Sequence, residues 1–461
     1  MSKHYHLVGI GGVSMSAIAM LLQNAGHRVT GSDRQESDVT RRLRDVGIDV
    51  YIGHDAKNIE GAEVVVYTAA VGSENPELAE ARRRGIPTVE RPVMLAELMN
   101  DYKHKIAVAG AHGKTTTVAM ITSILEHAGW NPTALLGTDR DNLRLGGHEV
   151  IITEACEAFG SFLCLEPSVA VVLNIDADHL DYYGTVERVE EAFRQFAYRV
   201  RPGGFVVACA DDVRVRRALK PFDEHKQEGS SEIKLVWFGL TPGADYNAVD
   251  VSTDGLGSRY ALVSKGVSVG RLVLRVPGEQ NVINSLAAAS TALELGVPFE
   301  AVCSGLGAYR GAPRRFEILY EGQVVIVDDY AHHPAEIEAT IRAARSAYKG
   351  RIIAVFQPHL YTRTKFLLED FARALSGADE VILAPIYPAR EEPIPGVSSE
   401  RIVERMGQLG YERAEYASNF EEIVSRLTTR VLPGDVVLVM GAGDIRVVAE
   451  KLAAGLGGSR S

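Results

Sequence analysis

Cysteine is scarce. The 461 residues include only Cys156, Cys164, Cys209 and Cys303, and no two of them have close zinc-ligand spacing. A disulfide-stapled scaffold and a thiolate metal site are set aside, and the four read as reduced, mostly buried thiols of a cytoplasmic chain. Long hydrophobic runs are missing as well. No stretch reaches the roughly 18 uninterrupted apolar residues that a membrane-crossing helix needs. The opening MSKHYHLVGIGG has no apolar run behind its basic residues, so neither a leader nor a membrane partner is expected. Positive charge is in deficit, with 49 Lys and Arg against 60 Asp and Glu and a formal net charge of -11. That sign repels a phosphate backbone, so no nucleic-acid partner is expected. An anionic small molecule must then be held locally, by glycine turns and single arginines. Tandem repeats and low-complexity blocks are also absent, and nothing in the pattern selects an oligomeric state.

What is present is alternation. The chain is too long for one ordinary core, and its 46% apolar and 24% charged residues are ordinary for a globular protein. Short apolar runs alternate with helical patterns: HLVGIGG, HRVTGSD and VVVYTAAV first, then KIAVAG, EVIITEA, SVAVVLNI and GGFVVACA, then QVVIVDDY, RIIAVFQPH, EVILAPIY and DVVLVMGAGD. Such alternation predicts α/β architecture with largely parallel sheets in three domains, at 1–97, 98–312 and 313–461. Pro92 to Lys105 reads as a connection, EHKQEGSSE as a surface loop, GAYRGAPRRFE as a hinge and GLGGSRS as a frayed tail.

The strongest chemical signal is GAHGKTTT. It follows the strand IAVA and opens a helix pattern, so Gly110, Ala111, His112, Gly113 and Thr116 would aim backbone N–H groups at phosphate oxygens. Lys114 would reach the terminal phosphates and Thr115 would offer its hydroxyl to magnesium. The usual extra glycine is replaced by Val108, which makes this a short variant. Magnesium needs further oxygen ligands. Glu154 ends EVIITE and His179 lies just past SVAVVLNI, so both sit at strand ends beside the phosphate loop. The plain alternatives are a solvated glutamate and a structural histidine.

GIGGVSMS, from Gly9 to Ser16, has the outline of a dinucleotide fingerprint, with Gly11 and Gly12 in the turn and Asp33 at the end of the second strand. Ser14 takes the place of the third glycine, so helix and strand are expected to pack slightly differently. NAD and another nucleotide pyrophosphate both suit such a turn. A separate ATP loop favours the second.

Taken in order, GIGG…MS, TGSD, GAHGKTTT, ITEACE…SFL, NIDADHLDYY, NVINSLAA, RRFE, VDDYAHHPAEI, FQPHLYTRT, YPAREEPIPG and MGAGD resemble the Mur ligase family over essentially the whole chain. The resemblance implies an N-terminal Rossmann-like domain, a central P-loop ATPase-like parallel-sheet domain and a C-terminal Rossmann-like domain. It implies that ATP phosphorylates the lactyl carboxylate of UDP-N-acetylmuramate, and that the amine of L-alanine attacks the acyl phosphate. On that pattern Gly11, Gly12, Asp33 and His112 serve the UDP-sugar. Thr115, Glu154 and His179 serve Mg2+. Asn281 and Asn284 approach the adenine, Asp329 the ribose and Arg315 the phosphates. Lys114, Glu154, His179 and Arg315 form the catalytic set, and Tyr330, His359 and Arg363 the amino-acid end. His332 and His333 have the plainer reading of terminating a strand, and Arg314 of a solvated neighbour. The sequence departs from the family at Ser14, at Gln280 where a histidine is common, and at Leu360 where an arginine often stands. Family members that add later peptide residues use a carbamoylated central-domain lysine. None lies between Lys114 and Lys220 here, which favours addition of L-alanine. Competing readings are a ligase that attaches an intact tripeptide to the same sugar, a nucleotide-sugar-binding regulator with a dead ATP site, and an NAD-dependent oxidoreductase.

Overall fold

Runs such as VIVDD, IIAVF and VVLVM are apolar on consecutive residues, so both faces of each strand need cover. Parallel strands sheathed by helices meet that need. The computed structural model describes residues 2–138, 142–227, 233–253, 255–389 and 391–457, and it contains three such α/β sheets. By contacts the chain falls into two compact units: Met1–Ala248, Leu262–Gly270 and Asn284–Leu306 in the first, and Val249–Ala261, Arg271–Ile283 and Gly307–Ser461 in the second.

The first unit opens with five parallel strands in the order Asp49–Ile52, Arg28–Asp33, His4–Val8, Val64–Tyr67, Thr88–Glu90. The chain starts at the middle strand and builds outward in both directions. The GIGG turn therefore lands at the switch point, where connections leave the sheet on opposite sides. Ser14, in the place of the third glycine, is exposed at the start of helix Val13–Asn24. A close approach that leaves no room for a side chain falls at Gly31 on the neighbouring strand, where a Cβ would lie 2.5 Å from Ile10 Cδ1 and 2.7 Å from the Leu7 carbonyl oxygen. The expected connection is itself ordered, as helix Arg91–Met99. Its Met94, Leu95 and Met99 are buried in a core that runs on through Ala107, Ile151 and Phe162, which ties the first sheet to the second. The other face of the first sheet carries a polar cluster. Glu77 is fully buried and accepts from Ser32 Oγ and Asn58 Nδ2, both at 2.6 Å. Burial alone would raise its pKa, but the neighbouring His6 ring, 3.7 Å away, and the bonds from Ser32 and Asn58 outweigh it and hold the carboxyl near 2.

The second sheet places strand His104–Ala109 between Val150–Glu154 on one side and Val169–Val172 on the other, with Phe205–Cys209 and Lys234–Gly239 beyond. After His104–Ala109 the chain goes first to Thr133–Leu135 and Val150–Glu154, then crosses to Val169–Val172. The switch point falls between the ends of His104–Ala109 and Val169–Val172, and the phosphate loop opens there.

In the second unit the order is Glu317–Glu321, Val325–Asp329, Val436–Met440, Ile352–Phe356, Glu380–Leu383, Ala414–Tyr416, parallel except for the first strand. Alternate residues feed two cores. Val327, Phe356 and Leu438 face one helical layer, and Ile326, Val355 and Val437 the other.

Three local expectations are corrected. Glu224–Gln227 continue helix Val213–Gln227 rather than starting a loop, while 228–232 lie outside the described residues. Helix Arg446–Gly457 takes in the first residues of the expected tail, and 458–461 lie outside. Only Cys209 is buried; the other three thiols are half-buried, and all four are free. No described helix is long and apolar enough to cross a membrane.

Candidate functional site

The phosphate loop begins where strand His104–Ala109 ends. Val108 is fully buried within the strand, paired with Val171 and Glu154, so the turn can start only at Gly110. Gly110 has φ 148° and Gly113 φ 86°, both in the left-handed half of the map where glycine is at ease. A Cβ on Gly113 would lie 2.4 Å from Asn284 Oδ1, which puts Asn284 against the loop itself. Gly113 precedes helix Lys114–His127 and has no side chain to cap it, so the first-turn N–H groups stay open to an anion. The shape is clamped by Asn174, just past strand Val169–Val172. Its Oδ1 accepts from His112 N at 2.8 Å, and its Nδ2 donates to the His112 carbonyl at 3.0 Å. His112 Nε2 lies 3.5 Å from Asp176 Oδ2.

Lys114 is held ready rather than loose. Its ammonium donates to the carbonyls of Gly110 and Ala111 and lies 3.1 Å from Glu157 Oε2. Burial would lower the pKa of that amine, but the Glu157 carboxylate more than offsets it, helped by Cys156 and Glu154, so the group stays firmly protonated. Thr115 Oγ1 donates to Glu154 Oε1 at 2.6 Å, and Gly137 N donates to the same oxygen at 2.6 Å. A hydroxyl and a carboxylate, both hard oxygen donors, thus meet at one strand end beside the loop, a donor set that suits Mg2+. His179 lies in the left-handed region at φ 55°, where it leads the short helix Leu180–Tyr183. Its Nε2 lies 3.8 Å from Asp178 Oδ2. A histidine in that backbone state is strained, and such strain concentrates at functional positions.

In the first sheet Asp33 does more than await a ligand. Its Oδ2 accepts from Gly11 N at 2.9 Å and thereby fixes the GIGG turn. A Cβ on Gly11 would lie 2.8 Å from that oxygen. Gly12 precedes helix Val13–Asn24 without a side-chain cap.

The second unit carries most of its expected residues along one edge of its sheet: Arg315 just before strand Glu317–Glu321, Asp329 and Tyr330 at the end of Val325–Asp329, and His359 and Arg363 past Ile352–Phe356, with Val436–Met440 between the last two strands. Asp329 closes Val325–Asp329, and its two carboxylate oxygens accept from Ala331 N and Phe316 N, each at 2.8 Å. Burial pushes its pKa up to about 6, opposed by Arg315 and those two N–H groups. The Phe316 bond also fixes the expected hinge as an ordered turn, with Arg314 at φ 58° and Phe316 at φ 50°. Arg315 lies over the Tyr330 ring at 5.2 Å, 3.8 Å from Glu336 Oε1. Arg314 is no solvated neighbour. It is nearly buried, stacks on Tyr330 at 4.9 Å, lies 3.4 Å from Asp328 and donates to the Gly441 carbonyl at 2.6 Å. Past Ile352–Phe356, Arg363 Nη1 lies 3.4 Å from His359 Nδ1. Asn281 lies in this unit too, with its Nδ2 on the Pro277 carbonyl at 2.7 Å.

Several neighbours escaped sequence reasoning. Glu157 was within reach, three residues after Glu154 inside a quoted motif. Asn174 and Glu336 become visible only through the fold. His332 and His333 do more than end a strand. His333 leads helix Pro334–Ala347. His332 Nδ1 lies 3.0 Å from the Tyr330 carbonyl and 3.3 Å from Glu336. Burial lowers the His332 pKa to about 4 against the pull of Glu336, so the ring is neutral at neutral pH. Arg390 of YPAREEPIPG lies outside the described residues.

Comparison with known proteins follows the same division of the chain. Residues 4–103 match the Mur ligase family catalytic domain, 108–292 the Mur ligase middle domain and 314–443 the Mur ligase glutamate ligase domain. A UDP-N-acetylmuramate–L-alanine ligase of Acetivibrio thermocellus is 44% identical over 97% of this chain and 95% of its own length. One of Desulfatibacillum aliphaticivorans is 43% identical over 97% and 98%. The crystal structure of a UDP-N-acetylmuramate-alanine ligase from Thermotoga maritima superposes with a TM-score of 0.83 at 29% identity, covering all of both chains. Three models of one family in chain order over most of the sequence, with relatives 44% and 43% identical along nearly its whole length, show that the chain belongs to the Mur ligase family.

Proposed function

We propose that this protein catalyses the ATP-dependent ligation of L-alanine to the lactyl carboxylate of UDP-N-acetylmuramate, in the cytoplasmic synthesis of peptidoglycan precursors. The observation that carries the reading is the near full-length likeness to enzymes of that name, at 44% and 43% identity. The division of labour follows the boundaries 1–97, 98–312 and 313–461: UDP-sugar on the first domain, ATP on the second, amino acid on the third.

A carboxylate resists attack by an amine because its leaving group would be oxide. Transfer of the γ-phosphoryl group of ATP to the lactyl carboxylate turns that oxide into phosphate, and ADP departs. Lys114 supports this reading, since its ammonium sits at the loop and needs only to exchange Glu157 for phosphate oxygens. Mg2+ would be held by Thr115 and Glu154, with His179 contributing, and would supply positive charge to the phosphoryl oxygens. Asn281 and Asn284 would serve the adenine, Asp329 the ribose and Arg315 the phosphates, while Gly11, Gly12, Asp33 and His112 would serve the UDP-sugar.

The amine of L-alanine then attacks the acyl carbon and phosphate leaves. The amine must be neutral to attack. With its Nδ1–H donated to the Tyr330 carbonyl, His332 presents a lone pair at Nε2 that would accept a hydrogen bond from the amine. Arg363 would pair with the carboxylate through its planar fork, with Tyr330 and His359 walling the small side-chain pocket. Such a pocket separates alanine from glycine by one methyl, on the order of 1 kcal/mol.

The test is phosphate release with ATP, UDP-N-acetylmuramate and each amino acid in turn. L-Alanine should give the highest kcat/KM, with slower use of glycine and L-serine and little of D-glutamate. A preference for D-glutamate or an intact tripeptide would overturn the assignment of substrate while leaving the phosphate chemistry standing.

A further inference from the structure

Arg363 stands on a short helix, Tyr361–Phe366, that has no side-chain cap of its own. The residue that leads into it, Leu360, has φ 72° and ψ 135°, a backbone state that a branched side chain rarely adopts. Strain of this kind persists only where surrounding bonds overdetermine it. Those bonds come from a different loop, the one after strand Glu380–Leu383. Tyr387 N donates to the Pro358 carbonyl at 2.8 Å, and Leu360 N donates to the Tyr387 carbonyl at 2.9 Å, so the strained residue is pinned from its N-terminal side. The His359 and Tyr387 rings stack at 5.6 Å with 18° between their planes. Four residues on, Glu391 closes the other side. Its Oε2 accepts from Thr362 N at 2.9 Å, and its Oε1 accepts from Thr362 Oγ1 at 2.5 Å. Both oxygens of one carboxylate are thus spent on the residue that precedes Arg363. Glu391 is fixed in turn by the bond from its own N–H to the Pro388 carbonyl at 2.9 Å, around Ala389 at φ 51°. Tyr387 thus bears on His359 and Glu391 on Thr362, the neighbours in sequence or space of the His359–Arg363 pair, whose nitrogens lie 3.4 Å apart.

We propose that Glu391, together with Tyr387, is a positioning residue for the amino-acid substrate: it holds the start of the Tyr361–Phe366 helix so that the Arg363 guanidinium and His359 face the incoming α-amino-acid carboxylate. The proposal rests on the reading that Arg363 receives that carboxylate. Glu391 acts through Thr362 and the backbone, which predicts a selective defect. Amino-acid affinity depends on where the fork of Arg363 points, whereas the phosphate loop and the UDP-sugar turn are built from other strands.

Steady-state phosphate release measured for each of the three substrates tests this, with Glu391→Ala, Glu391→Gln, Arg363→Ala and the Glu391/Arg363 double variant. Loss of a doubly accepting carboxylate should raise the KM for L-alanine about tenfold or more. The KM values for ATP and UDP-N-acetylmuramate and the melting temperature should stay near wild type. Glu391→Gln keeps one acceptor and should recover part of the loss. In the Arg363→Ala background, the Glu391→Ala change should add little, because the two act on one contact. An unchanged alanine KM in Glu391→Ala beside a damaged Arg363→Ala overturns the positioning role alone. So does a parallel rise of all three KM values, which would mark general loosening of the domain. An unchanged alanine KM in Arg363→Ala overturns the carboxylate reading and this proposal with it.

Discussion

Glu157→Gln isolates one charge beside the phosphate loop. In the protein without nucleotide, Glu157 is the carboxylate partner of Lys114 at 3.1 Å, and the two side chains are only 4% and 15% exposed. At that separation and an effective dielectric constant of about 20, the attraction is roughly 5 kcal/mol. Part of that is returned by the desolvation both groups suffer, and Lys114 keeps the Gly110 and Ala111 carbonyls as acceptors after the change. The net loss of stability should be about 2–3 kcal/mol, somewhat below the range for breaking a fully buried pair. Spread over a domain of this size, that lowers the melting temperature by roughly 5–10 °C. The informative comparison is calorimetry with and without saturating ADP and Mg2+. If phosphate oxygens take the place of Glu157 around Lys114, nucleotide should close most of the gap between variant and wild type. A variant as stable as wild type without nucleotide would refute the electrostatic account. A deficit of the same size in both conditions would refute the exchange of partners.

Lys114→Ala should abolish turnover yet leave UDP-N-acetylmuramate binding close to normal, as read by calorimetric titration of the sugar nucleotide; retained ATP-dependent activity would remove the loop from the chemistry. Glu154→Ala and His179→Ala should each raise the Mg2+ concentration needed for half-maximal activity, by about 10–100-fold for Glu154, and an unchanged Mg2+ dependence would take that residue out of the metal site. Asp329 has its folded pKa pushed up to about 6, above an unfolded value of about 4, so the stability it contributes is fully present below about 4 and is lost as pH rises through about 6. The melting-temperature advantage of wild type over Asp329→Asn should therefore shrink between about pH 4 and about pH 6, and a constant gap would show that the carboxyl does not titrate there. If the ionised carboxylate receives the ribose, the KM for ATP should rise as pH falls through the same window.

Much of this protein is determined by local chemistry, and local chemistry is what a sequence displays. Strand runs such as IAVA, VVLNI and VIVDD need cover on both faces whatever surrounds them, so the α/β class and the parallel sheets follow directly. Gly110 and Gly113 need left-handed backbone for a phosphate turn, and Lys114 and Thr115 follow them immediately, so the loop and its two chemical residues are contiguous. Glu154 is legible because it ends a strand, and strand ends share one edge of a parallel sheet. The tertiary structure alone decided which groups answer one another across that edge. Asn174 clamps His112 from 62 residues away, and Glu157 rather than solvent holds Lys114. Arg314 turned inward onto Asp328 and Tyr330, although in sequence it cannot be told from Arg315. Ser14, in the place of the third glycine, turned out exposed, while a position that admits only glycine fell at Gly31 on the neighbouring strand. Glu391 reaches Thr362 from 29 residues on, across two strands of the third sheet. Backbone propensity and burial act through neighbours in the chain and leave their mark on composition and period. Pairing of charges and hydrogen bonds acts through distances of about 3 Å, which only the order of strands in a sheet can set.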